Sequence, residues 1–590
     1  MELLKHAHRR PSPAVALVLV GLTSACSGSE AGRALRSALI VTLDTTRADA
    51  LTCLGGREGV SPRLDALARE GVLYTNARTT APITLPAHAS MFTGLYPIRH
   101  SARDNGRTPL PASAVTLAEL AAAAGLDTAA FVAAAVLDDA YGLDQGFATY
   151  VDPTRPHDSS ILGLYVERPA EDVVTDAVRW LRSRRPDRPF LLWVHLFDPH
   201  APYLPPPSFL RQAGGNPYLG EVARADAAVG QLLDALAELE RERDTLVLVV
   251  GDHGEGLGQH GEATHGSLAY DSTLRVPLIV RNPSGRRGGS RCDDLVSVVD
   301  VLPTVAAALD LSLPAGVDGV DLLHVPADPA RGLYFETCYG FLHYGWSPIA
   351  GWIEGGIKYL HDAAPQLFDV VADAGERRDL AGLRAADIQR ARAGIAAVAA
   401  LPRLEPEETA DPALLPWLRA LGYAAAVADE EQIPHPLAPT TFPPARARLE
   451  ELMELARAAE AAKQGRPGEA AELLAGLLLE NPANRTAAEN RATYLIADGR
   501  CEEAVPLFEG MIASGARSAE THLNLGYCLQ LAGRDEEAVA HFLRAHELDA
   551  GNTSALRNLV VVLSRLGREE EAQRFRRLLD AAVPPPEGPR

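Results

Sequence analysis

The sequence predicts an α/β domain with helices on both faces of its sheet, followed by an all-α solenoid. Three observations predict it. From about residue 36 to 400, short apolar β-branched runs alternate with helical stretches. Polar and charged residues stand where those runs end, the edge at which open α/β sheets bind ligands. In the last third, anchor residues recur every 34 positions. A chain of 590 residues also exceeds what one core accommodates, so at least two domains are required.

The elements follow in order. Lys5, Arg9 and Arg10 precede the apolar run "AVALVLVGL", too short to span a bilayer and suited to a signal peptide over residues 1–25. The junction "LTSAC" puts small residues before Cys26 and resembles a bacterial lipoprotein processing site, although Thr23 stands where Leu is usual. Lipidation at Cys26 would anchor the protein to a membrane surface, with 26–35 as tether. Ordinary cleavage after Ala25 is the alternative, and either places the mature protein outside the cytoplasm, in the periplasm or on a membrane.

In the domain of residues 36–402, "ALIVTLD", "DTAAFVAA", "PFLLWVHLF", "TLVLVVGDHG" and "VPLIVRNP" read as buried strands. "EDVVTDAVRWLRSRR" reads as an amphipathic helix. Residues 403–445 turn rich in Pro, Ala and Glu, as a semi-rigid linker would. Residues 446–582 hold the repeat. Gly465, Gly499, Gly533 and Gly567 share one register with Ala470, Ala504, Ala538 and Ala572 and with Leu474, Phe508 and Phe542. Gly ends the first helix of each pair, the small Ala lets two helices approach, and the large apolar residue fills the space between them. This pattern resembles the tetratricopeptide repeat, whose stacked copies present a surface to a protein partner. On that reading the solenoid is separable from the domain before it; the alternative is that its helices cap or dimerise that domain. Residues 583–590 read as a disordered tail.

The net charge of −21 argues against nucleic acid as a partner. Beyond Cys26, Cys53, Cys292, Cys338, Cys501 and Cys528 have no CxxC spacing, so neither a disulfide framework nor a thiolate metal site is expected.

The candidate chemistry lies at strand ends. "ALIVTLDTTRAD" runs into Asp44, and "LVLVVGDHGEG" runs into Asp252 and His253. Two carboxylates and an imidazole delivered this way suit one divalent ion, with calcium, magnesium, manganese and zinc undistinguished. Thr84, heading "TLPAH", would complete the site with a hydroxyl that the metal activates.

The segments "VTLDTTRAD", "TLPAHASMFTG", "HLFDPHAPY" and "GDHGEGLGQHGEATHG" occur in the order of the sulfatase family within the alkaline phosphatase superfamily, which residues 36 to about 390 resemble. The resemblance implies an alkaline phosphatase/sulfatase-like α/β sandwich and hydrolysis of sulfuric or phosphoric esters. In the family the nucleophile heads a CxPSR motif and is oxidised to formylglycine. Thr84 holds that slot here and His88 replaces the arginine. Threonine's methyl would leave a ketone, so Thr84 must attack as an alkoxide, as superfamily enzymes that cleave phosphodiesters and phosphonates do. Asp44, Asp252 and His253 match metal ligands, whereas Thr45 replaces an aspartate. Asn105 matches a residue that holds a substrate oxygen. His200 and His265 match donors near the ester, and His88 is expected to meet Thr84 or the metal site. His195 and His260 read as structural, and Asp271 as pairing with Arg275 or capping a helix. Three functions stay open: a metal-dependent ester hydrolase with a protein-binding repeat domain, a hydrolase-like domain without turnover that serves the repeats, and a phosphoryl transferase.

Overall fold

The computed structural model describes residues 36–582 apart from 106–107, 154–167, 285–286, 327, 407–432 and 514–517. The signal peptide, Cys26, the tether and the tail lie outside the described residues, as does half of the linker. In chain order the strands are β1 (Ser37–Leu43), β2 (Val72–Tyr74), β3 (Ala77–Arg78), β4 (Asp127–Phe131), β5 (Thr149–Val151), β6 (Phe190–Leu196), β7 (Thr245–Gly251), β8 (Leu278–Arg281), β9 (Ser290–Cys292) and β10 (Val296–Ser297). Eight of them form one sheet in the order β5-β4-β6-β1-β7-β8-β2-β9, while β3 pairs with β10.

Strands β6, β1 and β7 are mutually parallel at the centre, and all their residues are buried. That double burial is why they read as continuous apolar runs rather than alternating ones. The expected helix is present as Ala170–Ser183, burying Val173, Val174, Ala177 and Leu181 at helical spacing. A second, antiparallel sheet of β11 (Gly332–Thr337), β12 (Ile349–Glu354), β13 (Ile357–His361) and β14 (Gln366–Asp369) follows.

The repeat register is realised in helix pairs running from Glu450–Lys463 to Glu569–Ala582. Gly465, Gly499, Gly533 and Gly567 have φ of 76°, 78°, 74° and 74°, the left-handed turn that glycine adopts without steric cost. Ala470, Ala504 and Ala538 are fully buried, as are Leu474 and Phe542.

The second half of the linker differs from the expectation of a spacer. Phe442 packs edge-on against Phe341 at 5.2 Å, and Ser347 N donates to Pro443 O at 2.8 Å. The first repeats then close on the short helix Tyr339–Tyr344. The Trp346 indole donates to Glu451 at 3.1 Å, Asn481 and Asn484 both donate to the same carboxylate at 2.8 Å, and Asn481 also reaches Tyr344 O. Thr486 donates to His343 O, and the other side of His343 meets Asp104 at 3.1 Å. Buried polar groups satisfied across the junction make the repeats an integral wall of the α/β domain.

Candidate functional site

The central strands deliver the site. Leu43 of β1 is in register with Gly251 of β7, so the next residues, Asp44 and Asp252, emerge side by side; Thr42 of β1 is in register with His195 of β6. All four side chains are fully buried. Asp44, Asp252 and His253 offer ligand atoms within 4.8 Å of one another.

Local hydrogen bonds aim these groups. Asp252 Oδ1 accepts from the backbone N–H of Thr45 at 3.1 Å and of His253 at 2.7 Å, which leaves Oδ2 without a hydrogen-bond partner. His253 Nδ1 lies 3.0 Å from Gly254 O. A carbonyl only accepts, so the ring proton sits on Nδ1 and the Nε2 lone pair is free. That Nε2 stands 3.3 Å from Thr84 Oγ1, 3.5 Å from Asp252 Oδ2 and 4.0 Å from Asp44 Oδ1.

Thr84 is the first residue of the helix Thr84–Thr93, whose ten residues are all buried. Ile83 caps it without a side-chain acceptor, and Asn105 Oδ1 fills the gap by accepting from Leu85 N at 2.8 Å. Thr84 Oγ1 therefore sits at the positive end of an oriented helix.

Orphaned atoms converge here. Both oxygens of Asp44, Asp252 Oδ2, Thr45 Oγ1, His88 Nε2 and His195 Nε2 are buried without a hydrogen-bond partner. Burial pushes the Asp44 carboxyl up to about 6, against the pull of His200 and His265. Asp252 is raised well above the carboxylate range, by burial and then by the Asp44 charge. Burial holds His253 well below the imidazole range. Two acids that resist ionising together beside a neutral imidazole and a hydroxyl make a donor set that a divalent cation satisfies.

The other expected residues fall around this centre. His88 donates from Nδ1 to the Thr84 backbone oxygen at 2.8 Å, not to its hydroxyl. Asn105 is seen binding a helix N–H rather than facing open space. His200 stacks on Phe197 at 4.3 Å and lies 5.1 Å from the His265 ring, which is itself 4.5 Å from His253. His265 Nδ1 meets Glu255 Oε1 at 3.2 Å; burial opposes its charge, but Glu255 prevails and raises its pKa.

Sequence reasoning missed two residues. Glu255 is fully buried and accepts from both His265 and the Tyr203 hydroxyl; its place three residues after Asp252 was the available signal. His195, read as structural, has its Nε2 3.3 Å from Asp44 Oδ2. His260 does pack structurally, stacked on Tyr270 at 3.7 Å. Asp271 pairs with Arg78 at 2.7 Å and Lys358 at 3.1 Å instead of with Arg275, whose guanidinium reaches Thr75 O. The cysteines described are free, and Cys292, Cys338, Cys501 and Cys528 are buried.

Comparison with known proteins bears on this geometry. Residues 36–311 match the sulfatase family model, and residues 455–518 and 490–553 match a tetratricopeptide repeat model. The uncharacterized sulfatase YidJ of Escherichia coli is 27% identical over 425 residues, covering 60% of this chain and 84% of that protein. Human arylsulfatase A is 28% identical over 355 residues, covering 49% and 68%. A phosphonate monoester hydrolase of Agrobacterium radiobacter superposes with a TM-score of 0.53 at 21% identity, over 62% of this chain and 95% of that one, which is a likeness of fold.

Proposed function

We infer the function from one premise: the chain carries a sulfatase domain followed by tetratricopeptide repeats. It is an ester hydrolase, and we assign its nucleophile to Thr84 and its substrate to a sulfate or phosphate ester, with phosphoryl groups the better match to a threonine. The observation that carries this reading is Thr84 Oγ1 at a buried helix N-terminus, 3.3 Å from His253 Nε2 and beside Asp44 and Asp252. Those three residues would hold one divalent cation, with Thr84 Oγ1 beside it. Such a cation lowers the pKa of a hydroxyl and neutralises charge on the ester's oxygens.

Thr84 attacks as an alkoxide whose proton has passed to solvent: its Oγ forms the bond to phosphorus as the bond to the departing alcohol breaks, and it leaves again as the alkoxide when water releases the phosphate. The departing alcohol takes a proton from His265, whose imidazolium Glu255 stabilises. His265, then neutral, draws a proton from the water that releases the product. His200 and the helix N-terminus are placed to meet non-bridging oxygens. A phosphothreonine that meets an alcohol instead of water would transfer its group, so an added acceptor separates hydrolase from transferase.

The chain is read as exported through residues 1–25 and lipid-anchored at Cys26, with the repeats engaging a protein partner. Intact mass of the mature protein tests the anchor, since ordinary cleavage leaves no lipid mass. The deciding assay offers the purified protein paired aryl sulfate, phosphate monoester, phosphodiester and phosphonate substrates with calcium, magnesium, manganese or zinc. No turnover of any of them would favour the reading in which the domain serves only the repeats.

A further inference from the structure

His195 stands behind Asp44 rather than across from it. It lies on β6, in register with Thr42 of β1, and a short polar chain runs through the otherwise apolar centre of the sheet. The Trp193 indole N–H lies 3.0 Å from Thr42 Oγ1, Thr42 Oγ1 lies 3.0 Å from His195 Nδ1, and His195 Nε2 lies 3.3 Å from Asp44 Oδ2. All four side chains are fully buried.

The direction of the chain follows from what each group can do. An indole N–H only donates, so the Thr42 oxygen accepts there. The hydroxyl's own proton is then directed to His195 Nδ1, the next polar atom in line. With Nδ1 accepting, a neutral imidazole carries its proton on Nε2, the atom that faces Asp44. The ring cannot swing away, because His88 packs edge-on against it at 4.9 Å and Trp193 packs on His88 at 5.3 Å.

We propose that His195 is a positioning residue: its Nε2–H faces Asp44 Oδ2 at 3.3 Å, outside hydrogen-bond alignment but close enough to attract that oxygen, so that Oδ1, the oxygen nearer His253, is the one presented to the cation, and Trp193 and Thr42 fix the tautomer that makes this possible. The arrangement inverts the common pattern in which a carboxylate orients a ligating histidine; here a histidine orients a ligating carboxylate. It supplies from β6 some of the order lost where Thr45 stands in place of a second aspartate. The inference rests on the cation reading of Asp44, Asp252 and His253.

The test is manganese binding to the full chain, followed by calorimetry. His195→Ala is expected to weaken binding about 10- to 100-fold at unchanged stoichiometry, the range typical of partners that orient metal ligands. His195→Gln, whose amide N–H can reach Asp44, is expected to recover part of the loss. Thr42→Val, which removes the tautomer's anchor and touches no cation, is expected to weaken binding in the same direction. Nitrogen-15 spectra of histidine-labelled protein should show His195 with its proton on Nε2 in the wild type and lose that signature in Thr42→Val. Wild-type affinity in both His195→Ala and Thr42→Val overturns the proposal alone. A wild-type chain that takes up no manganese and is indifferent to Asp252→Ala overturns the cation reading, and this inference with it.

Discussion

Thr84 sits where a hydroxyl gains most from its surroundings, between a helix N-terminus and a neutral imidazole lone pair. Thr84→Ala is expected to abolish turnover while leaving metal uptake largely intact, because the carboxylates and His253 supply most of the coordination; elemental analysis alongside the substrate panel checks both halves. Asp252→Ala should lose metal and turnover together. Acid-quenched wild-type protein should carry a phosphate adduct on Thr84, read by intact mass, and full activity in Thr84→Ala would sink the mechanism. Glu262 offers a test through stability. It is buried, accepts from Ser267 N and Leu268 N at 2.8 and 3.0 Å, and burial pushes its pKa up to about 8. An acid whose folded pKa lies above its unfolded one favours the native state most at low pH, and that share is lost as pH rises through the folded value. Wild-type melting temperature should therefore fall more steeply between about pH 5 and 8 than that of Glu262→Gln, which keeps an acceptor and cannot ionise. Asp44, Asp252 and His253 stood out in the sequence as acids and an imidazole where apolar runs end, and Thr84 as the head of the "TLPAH" motif. His195 did not, because a histidine inside an apolar strand gives no sign of what its neighbours across the sheet will be.

Among the elements, the repeat helices were the most legible, since one period places glycine and alanine at the same positions four times and a large apolar residue at a third position in three of the four copies. Their packing is tight enough to test. Phe542 is fully buried, and a Cβ added at Gly526 would stand 2.7 Å from its ring. Phe542→Ala is expected to cost about 3–5 kcal/mol by leaving a cavity. Gly526→Ala is expected to cost about 1–3 kcal/mol by overpacking against the same ring. Urea titration followed by far-ultraviolet dichroism reads both. The Thr84 helix was harder to foresee. Its start depends on Asn105, 20 residues from the Leu85 N–H it receives, and a cap supplied from a distant loop leaves no trace in local spacing.

At the scale of the whole molecule, the junction between the α/β domain and the repeats carries the consequence. A chain ending at residue 402 would lose the partners of Trp346, Phe341 and the Tyr344 and His343 carbonyls, and would bare apolar surface that is now buried. It is expected to be poorly soluble and to melt well below the full chain, which should unfold with the two regions coupled; calorimetry of both proteins decides it. A shortened chain with full-chain stability would restore the separable solenoid expected from the repeat period. By itself the sequence determined the strand order in time, the ligand-bearing strand ends and the repeat register, because each is written in local periodicity and burial. Only the tertiary structure decided that His195 faces Asp44, that Glu255 pairs with His265 and that the first repeats lock onto the Tyr339–Tyr344 helix. Those contacts join residues tens to hundreds of positions apart through hydrogen bonds whose partners the chain brings together only when the sheet is assembled, and no local pattern encodes them.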